Sequence, residues 1–208
     1  MKYTHFDEKG NAVMVDVSEK EATQREATAT GRIHMSQKCY DAVRSGTAGK
    51  GDVLGVAQVA GIMACKRCSE LIPLCHTLNL NNCKVKLALH DEDCAISATC
   101  TVRCAGKTGV EMEALTGTSV ALLTVYDMCK AIDKRMEIGG IHLVEKTGGR
   151  SGHFRFEDVG KEGEDPGGED STHRPPEGGK PEGVGCNGSR SEGVDRDGNM
   201  PEGEGSQT

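Results

Sequence analysis

An α+β fold is predicted: a mainly antiparallel sheet, ferredoxin-like, packed by long helices and followed by a disordered C-terminal tail. Three observations predict it. Segments of strand-like alternation are interleaved with two long apolar helical runs. Turn-forming residues separate the segments, an order that places helices on one face of the sheet. After Glu157 the composition changes, and no aromatic residue follows Phe156.

Ala12 to Val17 reads as a short strand. From Ala27 to Met35 the residues alternate, with Ala27, Ala29, Gly31, Ile33 and Met35 on one face and Thr28, Thr30, Arg32 and His34 on the other. That is the period of a half-exposed strand. Ser36 to Arg44 is predicted to be a short helix capped by Ser36. Asp52 is a natural cap for the next helix, an apolar run to about Leu71 that Pro73 terminates. Lys84 to Leu89 and Ala95 to Arg103 read as two strands joined through His90-Asp91-Glu92-Asp93. Gly106 to Lys134 is predicted as a helix, with Thr108 and Glu111 spaced as a capping box. A strand from Met136 to Glu145, a loop from Thr147 to Gly152 and a last strand through Phe154 and Phe156 complete the domain.

Residues 158–208 contain 13 glycines, 13 acidic and 5 basic residues, and five of the six prolines of the chain. They carry eight net negative charges, against seven for the whole chain, which leaves residues 1–157 close to neutral. A segment with so few aliphatic residues cannot bury enough surface to offset the entropy of ordering it. It is predicted to be a disordered tail beside a single catalytic domain at 1–157. No apolar run approaches the roughly 20 residues of a membrane span, and the N-terminus lacks the features of a signal or transit peptide. A cytoplasmic protein is expected, with its ten cysteines as reduced thiols.

Several stretches carry chemistry. Gly106-Lys107-Thr108-Gly109 resembles part of a phosphate loop, but the position five residues earlier is Thr101 where that signature needs glycine. The capping reading of Thr108 and Glu111 therefore stands on the residues alone. Asp127 and Lys130 lie one turn apart beside the apolar run Ser119 to Tyr126, and can face each other. Placed there, they are expected to be partly desolvated, with shifted proton affinities. Glu113 and Asp127 are 14 residues apart, so they share a face but stand about 21 Å apart along the axis. One small substrate cannot touch both from one chain, which points to an oligomer with its site at the subunit contact.

Leu74-Cys75-His76 follows Pro73 in a bend, where functional side chains concentrate. The spacing also admits zinc through Cys65, Cys68, Cys75 and His76. Against that, Cys65 and Cys68 fall in a continuous helical pattern rather than a knuckle, and no metal is assigned. Lys50 sits between glycines before a helix N-terminus, where anions are favoured. Lys146 and Arg150 flank Thr147-Gly148-Gly149, and Arg25 precedes the threonine-rich strand. Brought together, these cations would suit a polyphosphate.

The strings MVDVS (14–18), GKGDV (49–53), LIPLCH (71–76), GKTGVEMEALT (106–116) and YDMCKA (126–131) resemble the MoaC family. So do AGIMACKR (60–67) and the loop KTGGRSG (146–152), and the likeness runs collinearly from about His5 to Glu157. The resemblance implies cyclic pyranopterin monophosphate synthases of molybdenum-cofactor biosynthesis. These rearrange 3′,8-cyclo-7,8-dihydroguanosine 5′-triphosphate to cyclic pyranopterin monophosphate with release of diphosphate. It further implies a ferredoxin-like fold and a homohexamer, a trimer of dimers with active sites between subunits. Carried over by position, Asp127 is the catalytic aspartate and Lys130 its neighbouring lysine, with Lys50 a further catalytic residue. Leu74, Cys75, His76, Met112 and Glu113 are substrate-binding, and Arg25, Glu111 and Lys146 are further site residues. Thr77 departs from the family, which has proline there.

No redox cofactor is implied, since the rearrangement transfers no net electrons; magnesium on the triphosphate is compatible with it. The implied partners are the nucleotide-derived substrate and copies of the chain, with neither nucleic acid nor a membrane. The alternative is a non-catalytic nucleotide-binding or assembly protein on the same scaffold. Against it, Lys50, His76, Glu113, Asp127 and Lys130 are all present, whereas an idle copy could lose any of them.

Overall fold

The computed structural model describes residues 9–157; the disorder expected of residues 158–208 lies outside them. Strand β1 (Thr23–His34) leads into helices α1 (Gln37–Arg44), α2 (Val53–Lys66) and α3 (Cys68–Leu71). The hairpin β2 (Leu80–His90) and β3 (Ala95–Gly106) precedes α4 (Glu111–Cys129), β4 (Glu137–Thr147) and β5 (Phe154–Arg155).

The strands form one sheet in the order β2-β3-β1-β4-β5, antiparallel throughout. Its first four strands have ferredoxin-like order, because each helical connection passes over one intervening strand, the split βαβ arrangement.

The alternation read in β1 is the alternation observed. Ala27, Ala29 and Ile33 are fully buried against the helices. The opposite face carries Thr28, whose hydroxyl meets that of Thr101 at 2.9 Å, and Thr30, which donates to the Ala98 carbonyl at 3.1 Å. On the helix side β3 contributes Ile96, Ala98, Cys100 and Val102, all fully buried. Small residues let α4 lie close to the sheet and to α2. A methyl added at Gly117 would stand 2.4 Å from Cys65 Sγ and 2.8 Å from Cys100 Sγ.

Several boundaries differ from those expected. Ala12–Val17 forms no strand beyond a single bridge residue at Ala12; its partners lie in the cleft described below rather than along a sheet edge. Ser36 occupies the cap position of α1, but its side chain makes no capping bond. Instead the Ser36 backbone N–H donates to buried Asp133 at 2.8 Å. That bond and another from the Arg135 N–H hold the Asp133 carboxyl below its ordinary range.

Asp52 does cap α2, accepting from the Gly55 N–H at 2.9 Å. That helix breaks at Arg67 rather than running to Leu71, and α3 is a separate single turn. α4 begins at Glu111, not Gly106, which is the last residue of β3. The capping box is absent: Val110 stands at the cap without a side-chain bond. The middle of α4 is not buried all round, since Leu123 is 56% exposed beside fully buried Leu122. Among the described residues no helix is long and apolar enough to cross a membrane.

Candidate active site

The residues singled out in the sequence fall into two groups at opposite ends of α4. At its C-terminal end lies an exposed charge triad. Asp127 Oδ1 accepts from Lys130 Nζ at 2.7 Å, and Oδ2 from Lys50 Nζ at 3.1 Å. Lys50 also donates to the Asp127 carbonyl at 3.0 Å. A tight turn delivers it: Gly51 has φ 87°, a left-handed backbone suited to glycine, and its N–H returns to the Ala48 carbonyl at 2.9 Å.

Hydrogen bonds from the two ammonium groups, Lys130 first, hold the Asp127 carboxyl below its ordinary range. Asp127 in turn raises the pKa of Lys130. This corrects the expected desolvation. Lys50, Asp127 and Lys130 side chains are 48%, 58% and 52% exposed in the single chain. Ion pairing, not burial, shifts Asp127 and Lys130, so Lys130 holds its proton more tightly, not less.

At the other end of α4 is a cleft of about 410 Å³ lined by Leu74, Cys75, His76, Met112 and Glu113. Thus the two segments expected to bind substrate, far apart in sequence, meet across one cavity. Its wall also includes Val15, Val17 and Lys20, from the N-terminal segment that was expected to be a strand. That segment crosses the cleft as an irregular strap. His76 Nε2 lies 2.7 Å from the Val15 carbonyl, and Lys107 Nζ donates to the Ser18 carbonyl at 2.6 Å. A carbonyl only accepts, so Nε2 is the donor in this bond. Thr77, where the resemblance expected proline, donates to Ser69 Oγ at 3.2 Å and so ties the bend by a hydrogen bond instead.

Glu113 is only 3% exposed. Burial pushes its carboxyl above the ordinary range, with the like charge of Glu111 adding to the effect. Thr108, Gly109 and Glu111 share the cleft wall. The Glu111 carboxylate folds back over Gly109, where a methyl would collide with it.

A second cavity of about 530 Å³ is lined by Lys20, Arg25, Gly149 and Arg150 together with Glu19 and Glu21. Arg25 donates from Nε to the Gly106 carbonyl at 3.3 Å, and its guanidinium lies over Gly149. Lys20 borders both cavities and thereby joins them. Lys146 is bonded to Ser151 within the same loop. Three cations therefore gather around the second cavity, a lining suited to phosphate groups.

Lys20 was missed in the sequence. Nothing in its spacing marks it, because its place depends on the strap crossing the cleft. The zinc set suggested by spacing does not assemble. Cys65 lies with Cys83 and Cys100 in the core, whereas Cys68 and Cys75 lie beside Glu113.

With the geometry established, the relatives can be placed beside it. The MoaC family model matches residues 14–149. The chain is 57% identical over 155 residues to the cyclic pyranopterin monophosphate synthase of Clostridium perfringens (strain 13 / Type A), spanning 74% of this chain and 98% of that protein. It is 57% identical over 151 residues to the protein of that name from Heliobacterium modesticaldum, 73% of this chain and 95% of that one. Against the Chloroflexus aggregans protein of the same name, identity is 54% over 155 residues, 74% of this chain and 94% of that one.

Proposed function

The chain belongs to the MoaC family, and we propose that it is a cyclic pyranopterin monophosphate synthase of molybdenum-cofactor biosynthesis. Its substrate is 3′,8-cyclo-7,8-dihydroguanosine 5′-triphosphate and its products are cyclic pyranopterin monophosphate and diphosphate. The reaction makes it a phosphorus–oxygen lyase. The observation that carries this reading is the Lys50–Asp127–Lys130 triad, in which one carboxylate is held between two ammonium groups.

Reorganising the ring system requires protons to be removed and returned at defined atoms. Asp127, kept deprotonated by its partners, is placed to accept one. Forming the cyclic phosphate requires a hydroxyl oxygen of the sugar-derived chain to attack the α-phosphorus while the bond to the β-phosphate oxygen breaks. Negative charge builds on the departing diphosphate, and fixed cations stabilise it more than they stabilise the bound substrate. Lys50 and Lys130 supply that charge at one end of the site, and Arg25, Lys20, Lys146 and Arg150 at the other. Leu74, Cys75, His76, Met112 and Glu113 bind the purine-derived part in the apolar cleft, with Glu111 at its rim.

The two groups lie at opposite ends of one helix, so a complete site takes Asp127 from one copy and Glu113 from another. A second copy would also cover the exposed triad and exclude water from it. We assign a homohexamer, a trimer of dimers, working in the cytoplasm without a redox cofactor and with magnesium carried, where present, on the triphosphate.

The test is to supply the cyclised dihydro-nucleotide triphosphate and follow cyclic pyranopterin monophosphate and diphosphate. Product from wild type and a loss of about 10²–10⁴-fold in Asp127→Ala are expected. Tight binding without turnover would leave a nucleotide-binding scaffold in place of an enzyme.

A further inference from the structure

At the cleft, two of the side chains proposed to bind substrate, Cys75 and Glu113, stand beside a third side chain that binding does not use, Cys68. Cys68 opens α3, Cys75 lies in the bend that follows, and Glu113 lies in the first turn of α4. Their two sulfur atoms and a carboxylate oxygen all lie within 4.8 Å of one another. Cys68 is 2% exposed and Glu113 3%, while half-buried Cys75 borders the cavity.

A carboxylate this deeply buried ordinarily has a cationic partner. Here the charge acting on Glu113 is that of Glu111, of the same sign, and its hydrogen-bond partners are neutral: its own backbone N–H and the Cys68 thiol, with the Cys75 thiol close by. Two sulfurs and a carboxylate oxygen gathered this closely are donor atoms of the kind a metal ion takes.

We infer that Cys68, Cys75 and Glu113 form a three-ligand site for a thiophilic divalent cation such as Zn2+, with its fourth position open to the cleft. Two sulfurs and one oxygen exclude Mg2+ and Ca2+, which take oxygen ligands, and suit Zn2+. Ligand atoms around a tetrahedral zinc stand about 3.6–3.8 Å apart, from bond lengths of about 2.1–2.3 Å. The trio therefore has to close by no more than about 1 Å, within the reach of side-chain rotation. Each thiol releases its proton to solvent as its sulfur bonds to the ion, and no electron changes hands.

The other thiol group, Cys65, Cys83 and Cys100, offers sulfur alone. None of its members lines either cavity of the site, so it lacks both a carboxylate and an opening to the cleft.

Zinc seated here would occupy Cys75 and Glu113 and so exclude the substrate. That competition rests on the function proposed above; binding of the ion does not. The site thus makes the enzyme's turnover sensitive to free zinc without making zinc its cofactor.

The test uses the full-length chain, stripped of metal by a chelator. Cobalt(II) serves as a spectroscopic probe, and Zn2+ is titrated against a chromophoric chelator. A single equivalent is expected, with a thiolate-to-cobalt charge-transfer band and tetrahedral visible bands. Loss of an outer partner of a metal site alone costs 10–100-fold, so Cys68→Ser and Glu113→Gln should each weaken binding at least about 100-fold. Cys100→Ser should leave it unchanged.

No retained ion, or affinity that follows Cys83 and Cys100 instead of Cys68, would overturn the site. In turnover assays zinc should inhibit wild type competitively, while Cys68→Ser should no longer respond. Equal inhibition of both would refute the placement in the cleft. A chain that gave the cobalt spectrum but formed no pyranopterin would overturn the proposed function while leaving the metal site standing.

Discussion

Two inactive variants of this chain should complement each other. Glu113 and Asp127 are 14 positions apart on the unbroken α4, a distance of about 21 Å at 1.5 Å per residue. In a two-fold dimer, one site takes Asp127 from the first copy and Glu113 from the second, and the other site the reverse. A dimer of Asp127→Ala with Glu113→Gln then contains one site with both original residues and one with neither. Random pairing of equal amounts makes about half the dimers mixed, so activity should reach about one quarter of wild type. Each parent should fall by about 10²–10⁴-fold. The mixture therefore exceeds either parent by at least about 25-fold.

Both substitutions spare the fold. The Asp127 side chain is 58% exposed, so its removal opens no cavity, and Gln keeps the size of buried Glu113. Co-expression with two affinity tags, followed by a product assay, reads the effect. A mixture no more active than the sum of its parents would mean that both residues serve a site within one chain, and the shared site would be abandoned.

Other consequences follow from the packing and the charges. Gly117→Ala gains about 1 kcal/mol of helix propensity but drives a methyl against Cys65 and Cys100, an overpacking cost of about 1–3 kcal/mol. Because both sulfurs belong to packed elements, cost should win by about 1 kcal/mol, lowering Tm by about 2–4 °C. Gly139→Ala, with nothing within 4 Å, should leave Tm unchanged, and equal behaviour of the two would refute the close helix crossing.

Glu113→Gln should raise Tm at about pH 7 and lose that advantage toward about pH 4. The folded Glu113 pKa lies above the ordinary 4.5; its stabilising contribution is full below 4.5 and disappears as pH rises through the folded value. A pH-independent difference in thermal melts would count against burial as the cause. Gly149→Ala should cost about 1–2 kcal/mol for its left-handed backbone, where φ is 78°. It should also displace the Arg25 guanidinium, raising KM more than it lowers kcat. An unchanged KM would remove Arg25 from substrate binding.

Alternation and turn chemistry made the sheet legible in the sequence. The Ala27–Met35 face, the Asp91–Asp93 turn and the Asp52 cap are set by neighbours a few residues away, and all three appear where expected. Boundaries that depend on distant partners did not. Ser36 is capped by Asp133, and α4 starts after Gly106 because β3 claims that residue. The segment at Ala12–Val17 has the pattern of a strand, yet His76 and Lys107 hold it over the cleft.

The candidate site divides along the same line. Residue identity alone marked Asp127, Lys130, Lys50 and the Leu74–His76 bend, and the α-helical rise sufficed to separate Glu113 from Asp127. Only the tertiary structure decided how those residues are charged and what else joins them. Pairing and burial depend on which elements meet in space. Two lysines therefore make Asp127 an exposed carboxylate, while a roof of packed side chains leaves Glu113 buried. Cysteines three apart in sequence, Cys65 and Cys68, went to different clusters because α2 breaks at Arg67. That break left Cys68 beside Cys75 and Glu113 and made the cleft floor a set of metal-type ligands.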